Sequence, residues 1–332
     1  MTLTVLSVFP DRARAEAPHV TDEKTSAGEW QLVWQDEFDK EVINANNWTL
    51  EVNCAGGGNN EKQCYTDNEE NAYVADGKLI IVALPARKGA EKPYTSARLN
   101  SRGKADFRYG RIEIRAKLPF GQGSWPALWM MPTEEVYGSW PKSGEIDIME
   151  AVNLKTRDKQ GKQESRIHGT LHYGGDWPDN VYSGQAYALP DEQNPADDFH
   201  TYSIEWQQGE IRWYVDNHLY AAQRQSVFSD DHQGQAVELL HRGWFTESVK
   251  TASNDMAAAP FDQKFYVILN LAVGGNWPEN TNQKGIDEQA FALGQHMQID
   301  FVRVYQCAVD PVTGKGCNTS SSEHVLIEGR AK

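Results

Sequence analysis

Alternation with a period of two runs through most of this chain and leaves little room for anything but β-structure. Residues 78–84 (KLIIVAL), 111–118 (RIEIRAKL), 145–152 (EIDIMEAV), 166–173 (RIHGTLHY), 200–206 (HTYSIEW), 211–216 (IRWYVD), 264–273 (KFYVILNLAV) and 297–305 (MQIDFVRVY) all follow it. These stretches are rich in Ile, Val, Tyr, Phe and Trp, and clusters of Gly, Pro, Asn and Asp separate them, as expected of strands joined by turns. QQGE after Trp206 makes 200–216 a hairpin. Helical spacing is scarce, and 235–244 (QAVELLHRGW) is the one stretch that invites a helix. No internal repeat is evident. Strands run from residue 31 to 306 without a linker, so the chain reads as one all-β domain of two stacked antiparallel sheets. Its bounds fall at 30–310, between an N-terminal segment 1–29 and a C-terminal tail or linker 311–332.

Charge narrows the partners. A formal net charge of −15 opposes nucleic acid, whose phosphates require Lys and Arg, and equally a sulfated polymer. Neutral ligands remain, and no run of about 18 apolar residues spans a membrane. A monomer is expected. The four cysteines fall as two close pairs, Cys54 with Cys64 and Cys307 with Cys317, without CxxC spacing or a His cluster for zinc. Two local disulfides in an exported protein, extracellular or periplasmic, are the preferred reading; four reduced thiols in a cytosolic protein are the other. The start, MTLTVLSVFPDRARAEA, ends near an A-x-A-like site but lacks a basic n-region, so it reads as a signal remnant or an artefact. The tail is Ser-rich and carries IEGR, which resembles an engineered protease site.

The densest chemistry lies in PKSGEIDIME, 141–150. In an extended strand Glu145 and Asp147 share a face, and regular alternation sends Glu150 to the other. One extra residue, a β-bulge around Ile148–Met149, returns Glu150 to the shared face and lines a cleft floor with three acids. Two carboxyls on one cleft suit glycoside hydrolysis, one as nucleophile and one as acid/base, with Asp147 between them raising the acid's pKa. Taken alone, the strand fits calcium ligation or a solvated acidic face equally well. The aromatic-dense GSWPALWMMP just before it favours a ligand cleft.

GEIDIMEAV resembles the ExDxxE active-site strand of glycoside hydrolase family 16, and GSWPALWMMP, IHGTLHYGGDWP, FHTYSIEW, FYVILNLAVGGNWP and IDFVRVYQ resemble its laminarinase-like bacterial branch, in order, over roughly residues 30–306. The resemblance implies a β-jelly-roll sandwich with a long concave cleft and retaining endo-hydrolysis of β-1,3-glucan, without a cofactor for catalysis. By position it implies Glu145 as nucleophile, Asp147 as assisting acid and Glu150 as acid/base. It implies substrate contacts from Asn60, Arg98, Trp125, Trp129, Trp140 and His168, the last donating a hydrogen bond near the acid/base. Indole faces stack on pyranose rings, and Trp125 and Trp140, each followed by Pro in a loop-like setting, are the stronger platforms. A structural Ca²⁺ on the convex side is implied at the carbonyls of Glu37 and Gly77 and the side chain of Asp300.

Two competitors stand beside this reading. A non-catalytic β-glucan-binding module would lack the acids that this chain carries. A hydrolase of another polymer is the other: the bulged form leans away from mixed-linkage lichenases but is shared by agarases and carrageenases. Mixed-linkage glucan stays the main competitor, because a relaxed cleft could accept its β-1,3 bends. His168 and His172, four apart on one strand, could form a two-His metal site, but no third ligand is evident. The polar stretches 154–165 and 176–198 read as long loops, either walls of the cleft or decoration, and a carbohydrate-binding domain could follow the Ser-rich tail in a longer chain.

Overall fold

The computed structural model describes residues 30–230, 236–249, 258–317 and 325–329; the expected segment 1–29 and residues 318–324 and 330–332 of the tail lie outside them. Two large sheets face each other. The back sheet has 11 strands, and its path runs Val325–Ile327, His218–Arg224, Glu210–Val215, His200–Gln207, Gly110–Lys117, Gln295–Cys307, Lys78–Pro85, Tyr94–Ser96, Gln63–Tyr65. The cleft sheet has eight, in the order Asn180–Ala188, Arg166–Gly174, Glu145–Glu150, Ser124–Pro132, Phe265–Val273, Arg98–Asn100, Thr49–Leu50, with Asp106–Phe107 beside Phe265–Val273. The result is the expected jelly-roll sandwich. Among the described strands pairing is antiparallel apart from Gln63–Tyr65 with Tyr94–Ser96 and His218–Arg224 with Val325–Ile327, and two isolated bridges, Gly174 with Thr246 and Gln225 with Trp244, are also parallel.

Period-two alternation explains the layering. Leu128, Ile146 and Leu269 of the cleft sheet and Ile114, Ile204 and Trp213 of the back sheet are all fully buried in one core. Each such side chain contributes roughly 1.5–3 kcal/mol by leaving water. The predicted hairpin forms, with Trp206 opposite Ile211. Both predicted disulfides, Cys54–Cys64 and Cys307–Cys317, are present.

Three expectations are corrected. Ala236–His241, in the stretch that invited a helix, is a strand paired with Val227–Asp230, and Leu239 and Leu240 stay exposed. The α-helix among the described residues is instead one turn, Glu288–Phe291, whose N-cap Asp287 accepts from the Gln289 backbone N–H. Within 176–198, Asn180–Ala188 is a nine-residue edge strand rather than loop; its face alternates imperfectly because the sheet ends there. Val325–Ile327, in the stretch set aside as tail, covers the edge at His218–Arg224 and buries Ile327.

The bulge forms where the acids require it. Along Ser124–Pro132 the register runs Leu128↔Met149 and then Trp129↔Asp147, which leaves Ile148 as the extra residue. On the other side it jumps from Asp147↔Thr170 to Glu150↔His168. Ile148 and Met149 are both buried in the core, so the bulge turns two successive apolar side chains inward. The Asp147 carbonyl at this break accepts the indole N–H of Trp213 from the back sheet at 2.8 Å. Gly169 makes that approach possible, because a Cβ there would collide with Trp213 and the Tyr220 hydroxyl.

Candidate active site

The solvent side of the cleft sheet carries a groove of about 1060 Å³, and Glu145, Asp147 and Glu150 all line it. Each outer acid holds an indole N–H from a different segment. Trp140 donates to Glu145 Oε2 at 2.6 Å, and Trp125 donates to Glu150 Oε1 at 3.0 Å. Asp147 lies between them, 2% exposed. His172, opposite Glu145 in the neighbouring strand, directs Nε2 to 3.4 Å from Asp147 Oδ2 and 3.8 Å from Glu145 Oε1.

Burial first, and then the charges of Glu150 and Glu145, push the Asp147 carboxyl well above the usual carboxylate range. Glu150 is raised to about 7, mainly by desolvation and further by Glu145, against the lowering effects of His172 and the Trp125 N–H. The chief source of the proton on Glu150 is thus burial, rather than the Asp147 charge expected from sequence. For His172, burial opposes the charged form, but Glu145 and Asp147 outweigh it and hold the imidazolium up to about 10. Ligand atoms of Glu145, Asp147 and His172 lie within 4.8 Å of one another, a spacing that also suits a metal ion. With the imidazole protonated, the same three groups form an ion-pair cluster.

His168 lines the groove as expected. It sits opposite Glu150 in register, but its ring packs edge-on against Trp277 at 5.0 Å, and burial together with Arg166 lowers its pKa to about 4. The imidazole that reaches the acids is His172. Arg98 does line the groove; its guanidinium covers the Trp129 ring at 4.7 Å and pairs with Glu51 at 3.1 Å. Trp129 donates to Asn270 Oδ1 at 2.6 Å. Trp125 belongs to the strand Ser124–Pro132 rather than a loop and is largely buried against Trp277, which leaves Trp140 as the more open of the two platforms.

Asn60 falls outside the lining. It is exposed at left-handed φ and donates its amide to Asn276 Oδ1 at 2.8 Å, while its neighbours Asn59 and Glu61 form the wall. The Cys54–Cys64 bridge closes this segment. Glu61 is a fourth acid in the groove, held by the Gln63 amide at 2.6 Å.

Trp177, Tyr182, Asn270 and Trp277 also line the groove and were not anticipated. A signal existed for two of them. The chain has four Trp-Pro pairs, at 125, 140, 177 and 277, and all four tryptophans line the groove; of the seven others only Trp129 does. Trp177 and Tyr182 show that the 176–198 stretch walls the cleft, whereas 154–165 supplies none of the lining among the described residues.

The residues expected to hold Ca²⁺ converge far from the acids, on the back sheet. Asp36 pairs with Val302 and Leu79 with Ile299, which brings Glu37 and Gly77 to the two sides of Asp300. Arg115 pairs with Asp300 Oδ2 at 2.5 Å. An all-oxygen donor set of this kind fits a hard ion.

A β-sandwich whose open groove combines paired carboxylates with a row of indoles is the architecture of an enzyme that cleaves neutral polysaccharide. The profile of Glycosyl hydrolases family 16 matches residues 59–259. A Beta-glucanase of Rhodothermus marinus is 40% identical over 86% of this chain and 88% of its own length. Glucan endo-1,3-beta-glucosidase A1 of Niallia circulans is 38% identical over 83% of this chain, which spans only 38% of that protein. The X-ray structure of the laminarinase from Rhodothermus marinus superimposes with a TM-score of 0.66 at 38% identity, covering 84% of this chain and 98% of that one. The chain belongs to glycoside hydrolase family 16, in its laminarinase-like branch. Among the described residues no helix is long and apolar enough to cross a membrane.

Proposed function

We propose that the protein is a secreted endo-β-1,3-glucanase that cleaves laminarin with retention by double displacement. The observation that carries this reading is the pair of acids on one bulged strand, Glu145 and Glu150, each bonded to a groove tryptophan. Glu150, raised to about 7, gives its proton to the glycosidic oxygen as that bond breaks. Glu145 attacks the anomeric carbon and forms a covalent glycosyl-enzyme. Glu150, now a carboxylate, takes a proton from water, which attacks the same carbon and frees Glu145. Two inversions return the β-configuration. Asp147, buried between the two, keeps a proton to share with Glu145 and limits like-charge repulsion. Trp140, Trp177 and Trp277 offer faces to sugar rings, Trp125 lines the groove beside Glu150, and Arg98 and Asn270 are among the polar contacts.

The two disulfides support export. A structural Ca²⁺ at Glu37, Gly77 and Asp300 belongs to the same reading; it is expected to raise the melting temperature, and EDTA to lower it reversibly.

Incubation with laminarin, mixed-linkage glucan, agarose and carrageenan, with products separated by chromatography, tests the assignment. Reducing ends from laminarin with the β-anomer formed first are expected, and none from an E145Q variant that still binds. Preferential cleavage of mixed-linkage glucan would transfer the assignment to a β-1,3(4)-glucanase, and binding without cleavage to a glucan-binding module.

A further inference from the structure

His172 is enclosed on every side that matters for its charge. It lies opposite Glu145 on one neighbouring strand and Tyr182 on the other. The rings of Trp140 and Tyr182 flank it at 6.0 and 5.9 Å. Its Nε2 faces Asp147 and Glu145, while Nδ1 is buried without a hydrogen-bond partner. The ring is therefore oriented by the two tilted aromatic neighbours and by the two carboxyls, with no backbone acceptor at Nδ1. Glu145, Asp147 and Glu150 act on it electrostatically from the acid strand, and Tyr182 is the titratable group on the other side.

We propose that His172 is a positioning residue: its imidazolium, seated between Glu145 and Asp147, holds the nucleophile in place and supplies the positive charge that lets the acids of one strand work side by side. This rests on the reading of Glu145 as nucleophile and Glu150 as acid/base. Without that charge the carboxyls would face one another in a poorly hydrated groove, and each would ionise with more difficulty. The Glu145 carboxylate, foremost among the groups that raise it, keeps the imidazolium charged to about pH 10, so it stays a cation across the working range.

H172Q removes the charge and keeps a hydrogen-bonding side chain of similar reach. Laminarin kcat and KM are measured from pH 4 to 9 alongside the melting temperature. Loss of the cation raises the carboxyl pKa values, so both limbs of the kcat profile are expected to move upward by about one pH unit, with kcat at the wild-type optimum down roughly tenfold. KM is expected to stay within about twofold, since the substrate-stacking tryptophans are untouched. A profile that superimposes on the wild type, scaled for folded protein, overturns the proposal. ¹⁵N NMR of the imidazole in the wild type needs no variant to fold: both ring nitrogens protonated at pH 8 are expected, and a neutral ring at that pH overturns the proposal independently. Turnover by E145Q would instead overturn the nucleophile assignment, whatever the ring's charge.

Discussion

Trp213 of the back sheet donates its indole N–H across the core to the carbonyl oxygen of Asp147, the point at which the ladder to the next strand breaks. A bulge removes a backbone carbonyl from its ladder, and a buried carbonyl without a donor costs about 1–3 kcal/mol. The tryptophan satisfies that group and, by doing so, fixes the turn of chain that returns Glu150 to the face of Glu145. W213F keeps an aromatic ring in the core and deletes the donor. It is expected to lower stability in urea by about 1–3 kcal/mol and to reduce kcat more than KM. An unchanged unfolding midpoint would show that the bond does not hold the bulge.

The same contact requires the absence of a side chain at position 169. A Cβ at Gly169 runs into the Trp213 ring and the Tyr220 hydroxyl, both in a packed interior. G169A is expected to destabilise by roughly 1–3 kcal/mol through overpacking. W213F/G169A should lose less than the sum of the two single variants, since the clash and the bond share one ring. Thermal or urea unfolding of the three variants measures this directly.

Glu150 links stability to pH with a definite sign. Its carboxyl is raised from an ordinary 4.5 to about 7, so the folded state binds the proton more tightly than the unfolded one. The associated stabilisation is present in full below about 4.5 and is lost as pH rises through about 7. E150Q never ionises. It is therefore expected to gain stability relative to wild type between pH 4.5 and pH 7, by roughly 3 kcal/mol. Urea unfolding at pH 4.5, 6 and 8 checks the trend. In the wild type, activity that requires the protonated acid should fall above pH 7.

Much of this arrangement was legible in the sequence because it obeys short-range rules. Alternation gave the strands, and the spacing of Glu145, Asp147 and Glu150 demanded a bulge, which appears with Ile148 as the extra residue. What could not be read depends on partners distant in the chain. Trp213 lies 66 positions from Asp147, and nothing local marks it as the donor for a broken ladder. His172 and His168 look equivalent on their strand; only the register, which sets one against Glu145 and the other against Glu150, and the ring of Trp277 separate their roles. Asn180–Ala188 looked like loop because an edge strand with one open face need not alternate cleanly. The helix-like spacing at 236–241 belongs to a small ribbon whose leucines remain in solvent.

Trp177 is the member of the Trp-Pro set whose energetics are easiest to isolate. It is 73% exposed, so its side chain contributes little to the core, while its ring lines the groove close to Tyr182 and Asn180. Asp176, just before it, pairs with Lys142 at 2.9 Å and links this loop to the one that carries Trp140, and both indoles line the groove. An exposed aromatic held in this way binds a sugar ring with little loss of conformational freedom. W177A is expected to leave stability within about 0.5 kcal/mol of wild type, as for other surface substitutions. It should raise KM for laminarin about five- to tenfold, equivalent to loss of about 1–1.5 kcal/mol of stacking, with kcat changed far less. D176N, which weakens the tie and keeps the ring, should fall between W177A and the wild type in KM. Steady-state kinetics on laminarin, with melting curves for each variant, decide it: an unchanged KM in W177A would leave the ring outside the path of the substrate.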